Sequence, residues 1–516
     1  MKSLELVLRP DLAENEAAQA AAASAILGVS LENISAVRIR KRSLDARSRE
    51  VRMRLQAEVY IDEPAPEAPD WTPHYPPVDG RKTALIVGFG PAGMFAALKL
   101  IELGIKPIVL ERGKDVQSRR RDLAAINRRG EVNDQSNYCF GEGGAGTYSD
   151  GKLYTRATKR GDVEAILRTL VQHGAPPAIL LDAHPHIGSN KLPQVVQAIR
   201  KSIIEAGGEV HFEARVVDFL IENSEFRGVK LADGREFLAP ATILSTGHSA
   251  RDIFELCGRR GVAIEAKPFA MGVRVEHPQP LIDQIQYKSK AKNPHLPAAS
   301  YRLAHTVEGR GVFSFCMCPG GWIVPAATSE GEVVVNGMSL SRRDSPFANS
   351  GIVVAVETAD LSEFSHHGVL AGLEYQKSIE RAAANAGNGL QRAPAQRLTD
   401  FVSGKLSRDL PKTSYQPGLT SAPMHEVLPP ALASRLRAGF IQFGQLMRGF
   451  LTSEAVILGV ESRTSSPIRI PRDAFTLQHP GVRRLFPCGE GAGYAGGIVS
   501  AAIDGARAAE RVAALP

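Results

Sequence analysis

The chain has 516 residues, more than one hydrophobic core of roughly 250–300 residues usually holds, so two or three domains are expected. Apolar residues make up 43% and charged residues 23%, which excludes a disordered protein, a collagen or a coiled coil as the main architecture. Lys and Arg number 62 against 55 Asp and Glu, and this net charge of +7 suits an anionic ligand without requiring nucleic acid.

Cysteine usage and the N-terminus predict a reduced, cytoplasmic protein. The five cysteines are odd in number and irregular in spacing, so no disulfide framework is expected. The first residues, MKSLELVLRPDLAENE, place acids where a signal peptide needs an apolar core. No uncharged apolar run approaches the ~18 residues of a membrane span.

In chain order, residues 1–62 combine strand and helix patterns and predict a small α/β domain. Residues 63–80 contain six prolines and predict an extended linker. The elements expected after the linker are a buried strand at 83–88, a helix at 91–103, a buried strand at 106–111, a helix at 190–206, short strands between 210 and 245, long and mostly antiparallel strands at 267–340, and a final strand, turn and helix at 484–516.

The motif Gly88-Phe-Gly90-Pro91-Ala92-Gly93 follows the strand TALIV and opens a helix. Glu111 ends the next strand, 18 residues after Gly93. This is the context of a dinucleotide fingerprint, in which the glycines permit a tight turn and close approach of the backbone to a pyrophosphate. The N-terminus of the helix favours binding of phosphate groups, and the acid accepts hydrogen bonds from ribose hydroxyls. An acid at this position disfavours NADP, because NADP carries a phosphate on the ribose.

Two other segments resemble parts of flavoproteins with the two-dinucleotide fold. Residues 484–497, RLFPCGEGAGYAGG, are similar to the closing motif, whose acid contacts the ribityl chain and whose helix N-terminus faces the isoalloxazine. Here the pair is Gly489-Glu490, with Glu in place of the family's Asp. The segment ATILSTGHS resembles the internal strand that ends in Thr-Gly near the cofactor, here Thr246-Gly247.

From about residue 83 to 516 the chain resembles bacterial FAD-dependent dehydrogenases of the glutathione-reductase-type fold. The resemblance is carried by the FGEGGAGTYSDGKL block, the GVRVEHP strand, the CGEGAGYAGGI ending and the small N-terminal domain. It implies an α/β fold with a Rossmann-like domain that holds FAD non-covalently. The implied organisation is a small N-terminal α/β domain at 1–62, a linker at 63–80, the first parts of the FAD-binding domain at 81–265, an inserted mixed-sheet substrate or cap domain at 266–452, and the C-terminal part of the FAD-binding domain at 453–516.

The fingerprint and the resemblance together predict the cofactor-binding residues. They are Gly88, Gly90, Pro91, Ala92, Gly93, Glu111, Arg112, Gly143, Gly144, Thr246, Gly247, Gly489, Glu490, Gly496, Gly497 and Ile498. No metal site is expected, because neither C-x-C nor the scattered histidines have metal-ligand spacing. Catalytic residues are not predicted.

Several side chains keep two interpretations. Cys316 and Cys318 alternate on a strand, so both thiols face one side, where they line a substrate pocket or pack in the sheet. Arg274 and Glu276 could face the flavin together or form structural contacts. Five arginines between 119 and 129 form a solvated helix face or an RNA-binding surface: Arg119, Arg120, Arg121, Arg128 and Arg129.

The expected function is that of a flavoprotein oxidoreductase, a dehydrogenase that transfers a hydride or two electrons at flavin N5 with an unidentified, anionic small molecule. NAD(P)H is a possible electron donor, although no second dinucleotide fingerprint is present, and an external carrier or protein partner could dock on residues 1–62. The alternatives are a flavoprotein that acts on RNA, although a nucleic-acid partner is not expected, and a flavin-binding regulatory protein without catalysis.

Overall fold

A computed structural model describes residues 1–48, 50–67, 71–155, 160–289 and 293–516. The N-terminal unit is an antiparallel sheet of three strands in the order β1–β3–β2, and the apolar face of helix α1 covers it. Its elements are β1 (Lys2–Leu8), α1 (Glu16–Leu27), β2 (Ile34–Asp45) and β3 (Arg52–Ile61). The described residues of the predicted linker, 63–67 and 71–80, contain neither helix nor strand, and residues 68–70 lie outside the described part of the chain.

After the linker, strands alternate with helices. The elements in chain order are β4 (Thr83–Val87), α2 (Pro91–Glu102), β5 (Lys106–Leu110), α3 (Val116–Arg129), α4 (Val163–Gln172), α5 (Leu192–Glu205), β6 (Glu209–His211), β7 (Val216–Glu222), β8 (Glu225–Leu231), β9 (Glu236–Leu238), β10 (Thr242–Leu244) and α6 (Arg251–Arg259). Strands β7, β8 and β9 form a separate antiparallel sheet. Short 3₁₀ turns lie at 144–146 and 177–180.

Strands β4, β5, β6 and β10 belong to a parallel sheet, the first large sheet, which is completed at the C-terminus. A second large sheet follows in the chain, and its seven strands have the order β13–β14–β17–β12–β20–β18–β19. All its neighbours are antiparallel except β18 and β19. The elements of this region are β11 (Glu265–Ala266), β12 (Phe269–Pro278), α7 (Gln279–Tyr287), β13 (Ala304–Val307), β14 (Arg310–Cys318), β15 (Gly321–Pro325), β16 (Val335–Ser339), β17 (Phe347–Val356), α8 (Ala371–Gly387), β18 (Ala393–Arg397), α9 (Leu398–Ser403), β19 (Leu419–Ser421), α10 (Met424–Val427), α11 (Pro430–Leu446) and β20 (Val456–Glu461).

The last elements of the chain are β21 (Ile468–Arg469), β22 (Leu485–Pro487) and α12 (Ile498–Ala513). Strand β21 pairs with β11, and β22 brings the chain back to the first large sheet. Strand β22 pairs with β10 and completes a five-stranded parallel sheet in the order β22–β10–β4–β5–β6. Helix α12 packs closely on α2, so both helices that follow a glycine-rich turn lie side by side. This places the turns at 88–93 and 489–497 at the same edge of the sheet.

One predicted boundary differs from the structure. The C-terminal part of the first domain was expected to begin at 453, but β20 pairs with β12 and β18 inside the second sheet. The second sheet therefore extends to Glu461. Among the described residues, no helix is both long enough and apolar enough to cross a membrane.

Candidate functional site

A cavity of about 520 Å³ lies at the carboxyl ends of β4, β5 and β10. Val87, Leu110 and Ser245, which end or follow these strands, contribute to its wall. Ligands of parallel α/β sheets bind at this edge, where the loops after the strands diverge. On the opposite side the cavity reaches the second sheet at Phe315 and Cys316. The cavity thus lies between the two large domains.

The β4–α2 turn forms the floor of the cavity. A Cβ atom on Gly93 would lie 2.0 Å from the carbonyl oxygen of Gly88, so the helix can pack this closely on the turn only with glycine. Gly90 precedes α2 and has no side chain to cap it. Its backbone faces Gly144, whose added Cβ would lie 3.2 Å from the Cα of Gly90. The first N–H groups of α2 are therefore open to a ligand with negative charge.

Glu111 holds three loops together at the end of β5. Its carboxylate accepts N–H groups from Phe89 at 2.9 Å, from Gly113 at 2.9 Å and from Gly141 at 3.0 Å. A carboxylate has about four acceptor positions, so room for one more donor remains at the edge that lines the cavity. Binding of a ribose hydroxyl at Glu111 stays a prediction. The part of Glu111 in fixing the loops could not be predicted from local sequence, because it joins distant segments.

Arg112 lies on the cavity wall beside Glu111, and its contacts hold it in place. Its guanidinium is 4.2 Å from the ring centre of Phe140. It donates to Asp252 at 2.9 Å and to Gln135 at 3.0 Å. Because its guanidinium is fixed over the Phe140 ring, Arg112 forms a rigid part of the cavity wall next to Glu111.

The glycine-rich segment 141–146 is held by Arg119. This residue is fully buried, and its guanidinium donates four hydrogen bonds of 2.8–2.9 Å to backbone carbonyls. The acceptors are the carbonyl groups of Asn137, Tyr138, Glu142 and Gly144. The interpretation of five arginines as one exposed helix face is therefore wrong for Arg119, although the other four are exposed.

Glu490 and His248 lie side by side on the cavity wall, with His248 Nε2 and Glu490 Oε1 3.8 Å apart. Burial raises the pKa of Glu490 to about 7, from an ordinary 4.5. Burial, followed by the charges of Arg463 and Arg251, lowers the pKa of His248 to about 3. At neutral pH the histidine is neutral, and Glu490 is the group poised to hold or release a proton.

The N-terminus of α12 closes another part of the wall through Gly496, Gly497 and Ile498. Gly489 lies behind this wall, where its N–H donates to Asp504 of α12 at 2.8 Å. Asp504 also pairs with Arg472 at 2.6 Å. The 16-residue helix directs its positive dipole end toward the cavity.

The second domain supplies Phe315, Cys316, Asn336, Arg463 and Thr464 to the wall. Arg463 is engaged behind the wall, because it pairs with two buried carboxylates, those of Glu332 at 3.1 Å and Glu380 at 3.0 Å.

Arg274 and Glu276 have structural contacts. Arg274 is fully buried and pairs with Glu461 at 2.7 Å, while Glu276 accepts the N–H of Ser414 at 2.9 Å.

Of the predicted cofactor-binding residues, three lie outside the cavity wall and support it from behind: Gly93, Gly143 and Gly489. The others line it: Gly88, Gly90, Pro91, Ala92, Glu111, Arg112, Gly144, Thr246, Gly247, Glu490, Gly496, Gly497 and Ile498. Asp150, Asn336 and Arg463 also line the cavity, and the sequence did not point to them. Cys316, for which a place in a pocket wall was one of two interpretations, lines the cavity as well, together with Lys152.

Comparison with known proteins identifies the family. Residues 268–464 match the family described as "FAD-dependent protein, C-terminal domain-like", and residues 1–60 match a domain of unknown function, DUF8436. An "Uncharacterized protein" of Clostridium beijerinckii is 42% identical over 432 residues, which cover 83% of this chain and 80% of that protein. The chain belongs to the same family. Its second domain is that of FAD-dependent proteins, so FAD is the cofactor that the family implies.

The solved structures that match the chain do so only weakly. A flavoprotein/dehydrogenase from Cytophaga hutchinsonii is 12% identical, with a TM-score of 0.37 and coverage of 84% of this chain and 78% of that one. A geranylgeranyl bacteriochlorophyll reductase-like protein from Thermoplasma acidophilum is also 12% identical, with a TM-score of 0.36 and the same coverage. Similarity at this level identifies no activity.

The residues present fit FAD. Gly90 and Gly144 face each other without side chains, and a Cβ on either would narrow the space above the first turn of α2. The cavity continues from this turn to the N-terminus of α12, so one elongated anionic dinucleotide can contact both helix ends.

Proposed function

We propose that this protein is an FAD-dependent oxidoreductase of the glutathione-reductase type, a dehydrogenase that binds FAD non-covalently in the cavity between its two large domains. The observation that carries the proposal is the continuity of this cavity. One space joins the dinucleotide fingerprint at Gly88–Gly93, the N-terminus of α12 and the wall of the second sheet. A cofactor and a substrate therefore have room to meet there.

Each wall has a defined task in this proposal. The open N–H groups at the start of α2 bind the pyrophosphate, and Glu111 accepts a ribose hydroxyl. Arg119 fixes the carbonyl groups of the glycine-rich segment so that its backbone stays close to the cofactor. The dipole of α12 stabilises negative charge at the opposite end of the cavity. When bound, FAD supplies hydride or two-electron chemistry.

Glu490 is the residue that we assign to proton transfer. Its raised pKa, about 7, allows the carboxyl oxygen to hold a proton and to release it within the neutral range. His248, which stays neutral, can accept or donate only a hydrogen bond there. Lys152 is a cationic side chain on the same wall, which supports an anionic small molecule as substrate.

The source of electrons is part of the proposal. NAD(P)H would have to enter the same cavity, or an external carrier would dock on residues 1–62. The N-terminal unit is fixed to the rest of the chain by the N–H of Arg42, which donates to Leu181 O at 2.8 Å, and by Ala183, which donates to Arg42 O at 3.0 Å. A docked carrier would therefore have a defined position relative to the first domain.

The test is FAD binding by Gly90→Leu and by a matched Gly258→Leu variant. The leucine at 90 would fill the space opposite Gly144, whereas Gly258 is exposed and has open space around an added Cβ. We expect wild type and Gly258→Leu to purify yellow with one FAD per chain, and Gly90→Leu to lose at least tenfold in affinity.

The yellow protein should then be mixed anaerobically with NADH, NADPH and a panel of anionic metabolites. Bleaching of the flavin absorbance by one of them identifies the donor. A wild-type protein that stays colourless after incubation with FAD would refute the proposal.

A further inference from the structure

Two thiols of the second domain meet one lysine of the first domain at the cavity wall. Lys152 Nζ lies 3.8 Å from the sulfur of Cys316 and 3.6 Å from the sulfur of Cys318. Cys318 Sγ also lies 3.3 Å from the carbonyl oxygen of Cys316. Both sulfurs thus converge on a single ammonium group.

The backbone of β14 is shaped to produce this convergence. The register with β17 shifts between Phe315 and Cys318, and Cys316 has a φ of 47°, a left-handed conformation that residues other than glycine rarely adopt. In a regular strand, alternate residues are roughly 6.6 Å apart, at the upper limit of the ~4.4–6.8 Å that a disulfide spans between Cα atoms. The bulge turns the chain at Cys316, and the Cys318 thiol donates to the carbonyl oxygen of Cys316 at 3.3 Å. Strain of this kind concentrates at functional sites.

The two thiols differ in access. Cys316 is partly exposed and lines the cavity, whereas Cys318 is fully buried behind it. An accessible thiol backed by a hidden one is the arrangement of a reacting thiol and the thiol that resolves it.

The pKa values of the two thiols also differ, and the more accessible thiol has the lower one. The pKa of Cys316 is lowered, first by the hydrogen bond from the Cys318 thiol and then by the charges of Lys152 and Arg274. The same hydrogen bond, followed by burial, raises the pKa of Cys318. Asp150, 3.3 Å from Lys152, opposes the effect on Cys316 but is itself paired with Arg343. The thiolate form therefore belongs to the accessible sulfur.

Metal binding does not explain the cluster. An ammonium group carries three donors and no acceptor, so Lys152 cannot act as a ligand. Within the described ranges, no group of three or more His, Cys, Asp or Glu side chains is placed to hold a metal ion. Two thiols beside a cation are instead suited to thiolate chemistry.

We propose that Cys316 and Cys318 are a redox-active dithiol that exchanges two electrons with FAD in the shared cavity. In the oxidising direction two S–H bonds are lost and one S–S bond forms between the two residues. The two electrons and two protons released are taken up by FAD. The reverse transfer cleaves the disulfide and restores both thiols. The proposal rests on the proposed function, because FAD must occupy the cavity to exchange electrons.

The test is an anaerobic reductive titration of the full-length holoprotein after mild oxidation with diamide. Wild type should take up four electrons per chain, two for FAD and two for the disulfide. Cys316→Ser and Cys318→Ser should take up two. Cys257 is buried on α6 and does not line the cavity, so Cys257→Ala serves as the control and should still take up four. Circular dichroism and FAD content establish that each variant is folded.

A second readout does not depend on turnover. Alkylation under denaturing conditions without reductant, followed by peptide mapping, should show a Cys316–Cys318 disulfide in the oxidised wild type and free thiols after reduction. A long-wavelength charge-transfer absorbance, lost in Cys316→Ser, is expected where the thiolate lies against oxidised flavin.

Failure of this proposal is distinct from failure of the proposed function. A yellow wild type that takes up only two electrons and keeps both thiols free overturns the dithiol and leaves the flavin assignment intact. A colourless wild type that FAD does not reconstitute overturns both.

Discussion

Replacement of Arg119 by Met tests how the glycine-rich wall of the cavity is held. Methionine keeps most of the apolar stem but removes the cation and all five N–H donors. Four carbonyl groups then lose their partner, two of them, those of Glu142 and Gly144, in the segment that faces the cofactor site. The wall should loosen even though Arg119 itself does not line the cavity.

The magnitude follows from the number and kind of hydrogen bonds. A hydrogen bond to a charged group contributes about 1.5–3 kcal/mol, and removal of one partner of a buried charged network costs about 3–5 kcal/mol. Because water can enter and replace some donors, we expect Arg119→Met to lower the free energy of unfolding by about 3–5 kcal/mol in total. Because the denaturant slope increases with chain length, a slope of about 3 kcal/mol/M is expected for 516 residues, and the urea midpoint should then fall by about 1–2 M.

The assay is a urea titration followed by flavin fluorescence and by circular dichroism, so that release of FAD and loss of secondary structure are seen separately. Arg121→Met is the matched control, because Arg121 is an exposed arginine on the same helix. Arg121→Met should change the free energy of unfolding by less than about 0.5 kcal/mol, so its urea midpoint should stay close to that of wild type. If Arg119→Met unfolds at the wild-type midpoint and retains FAD equally well, the described role of Arg119 is refuted.

Two further predictions concern charge in the cavity. Because burial raises the pKa of Glu490 to about 7, the folded chain binds that proton more tightly than the unfolded chain, so this group's contribution to stability is greatest below about pH 4.5 and is lost as the pH rises to about 7. In FAD-free protein the urea midpoint should therefore fall as the pH rises from about 4.5 to about 7, and Glu490→Gln should remove the part of this fall that Glu490 causes. If the pH dependence of the midpoint is the same in both proteins, the raised pKa does not belong to Glu490. Lys152→Met should slow alkylation of Cys316 by iodoacetamide at neutral pH at least about tenfold, because one pKa unit is tenfold in thiolate. Lys201→Met, at a surface lysine, should leave that rate unchanged, and an equal rate in both variants would remove Lys152 from the site.

The parts of the site that could be predicted from sequence are those fixed by neighbouring residues. The strand before Gly88, the helix after Gly90 and the distance to Glu111 are local features, and the structure brings all three to the cavity. The hydrogen bonds of Glu111 to Phe89 and Gly141 could not be predicted, because they join segments 22 and 30 residues away.

The burial of Arg119 can be predicted from the spacing of apolar residues in α3. The buried residues of α3 are Val116, Arg119, Leu123 and Ile126, which recur with helical spacing on one face. An arginine in such an apolar stripe indicates a buried cation with backbone partners, whereas Arg120 and Arg121 lie on the exposed face. The number of basic residues in α3 therefore does not distinguish the buried arginine from the exposed ones; their position around the helix does.

The position of β20 had no such signal. Its apolar sequence suits a strand of either sheet, and its partner β12 lies more than 170 residues earlier in the chain. Only long-range pairing assigns it to the second sheet.

The contact between Lys152 and the two thiols is also a long-range contact that local sequence does not predict, and it bears on function. The strand pattern placed Cys316 and Cys318 on one side, but Lys152 lies 164 residues from Cys316. The lysine segment is held to the second domain by Asp150, which accepts from the Ser339 hydroxyl and pairs with Arg343. The ammonium thus comes from one domain and the sulfurs from the other, so the part of the charge that Lys152 adds to that of Arg274 acts on Cys316 only when the two domains are docked. This contribution cannot be recognised from the C-x-C spacing, because that spacing says nothing about which residues face the thiols.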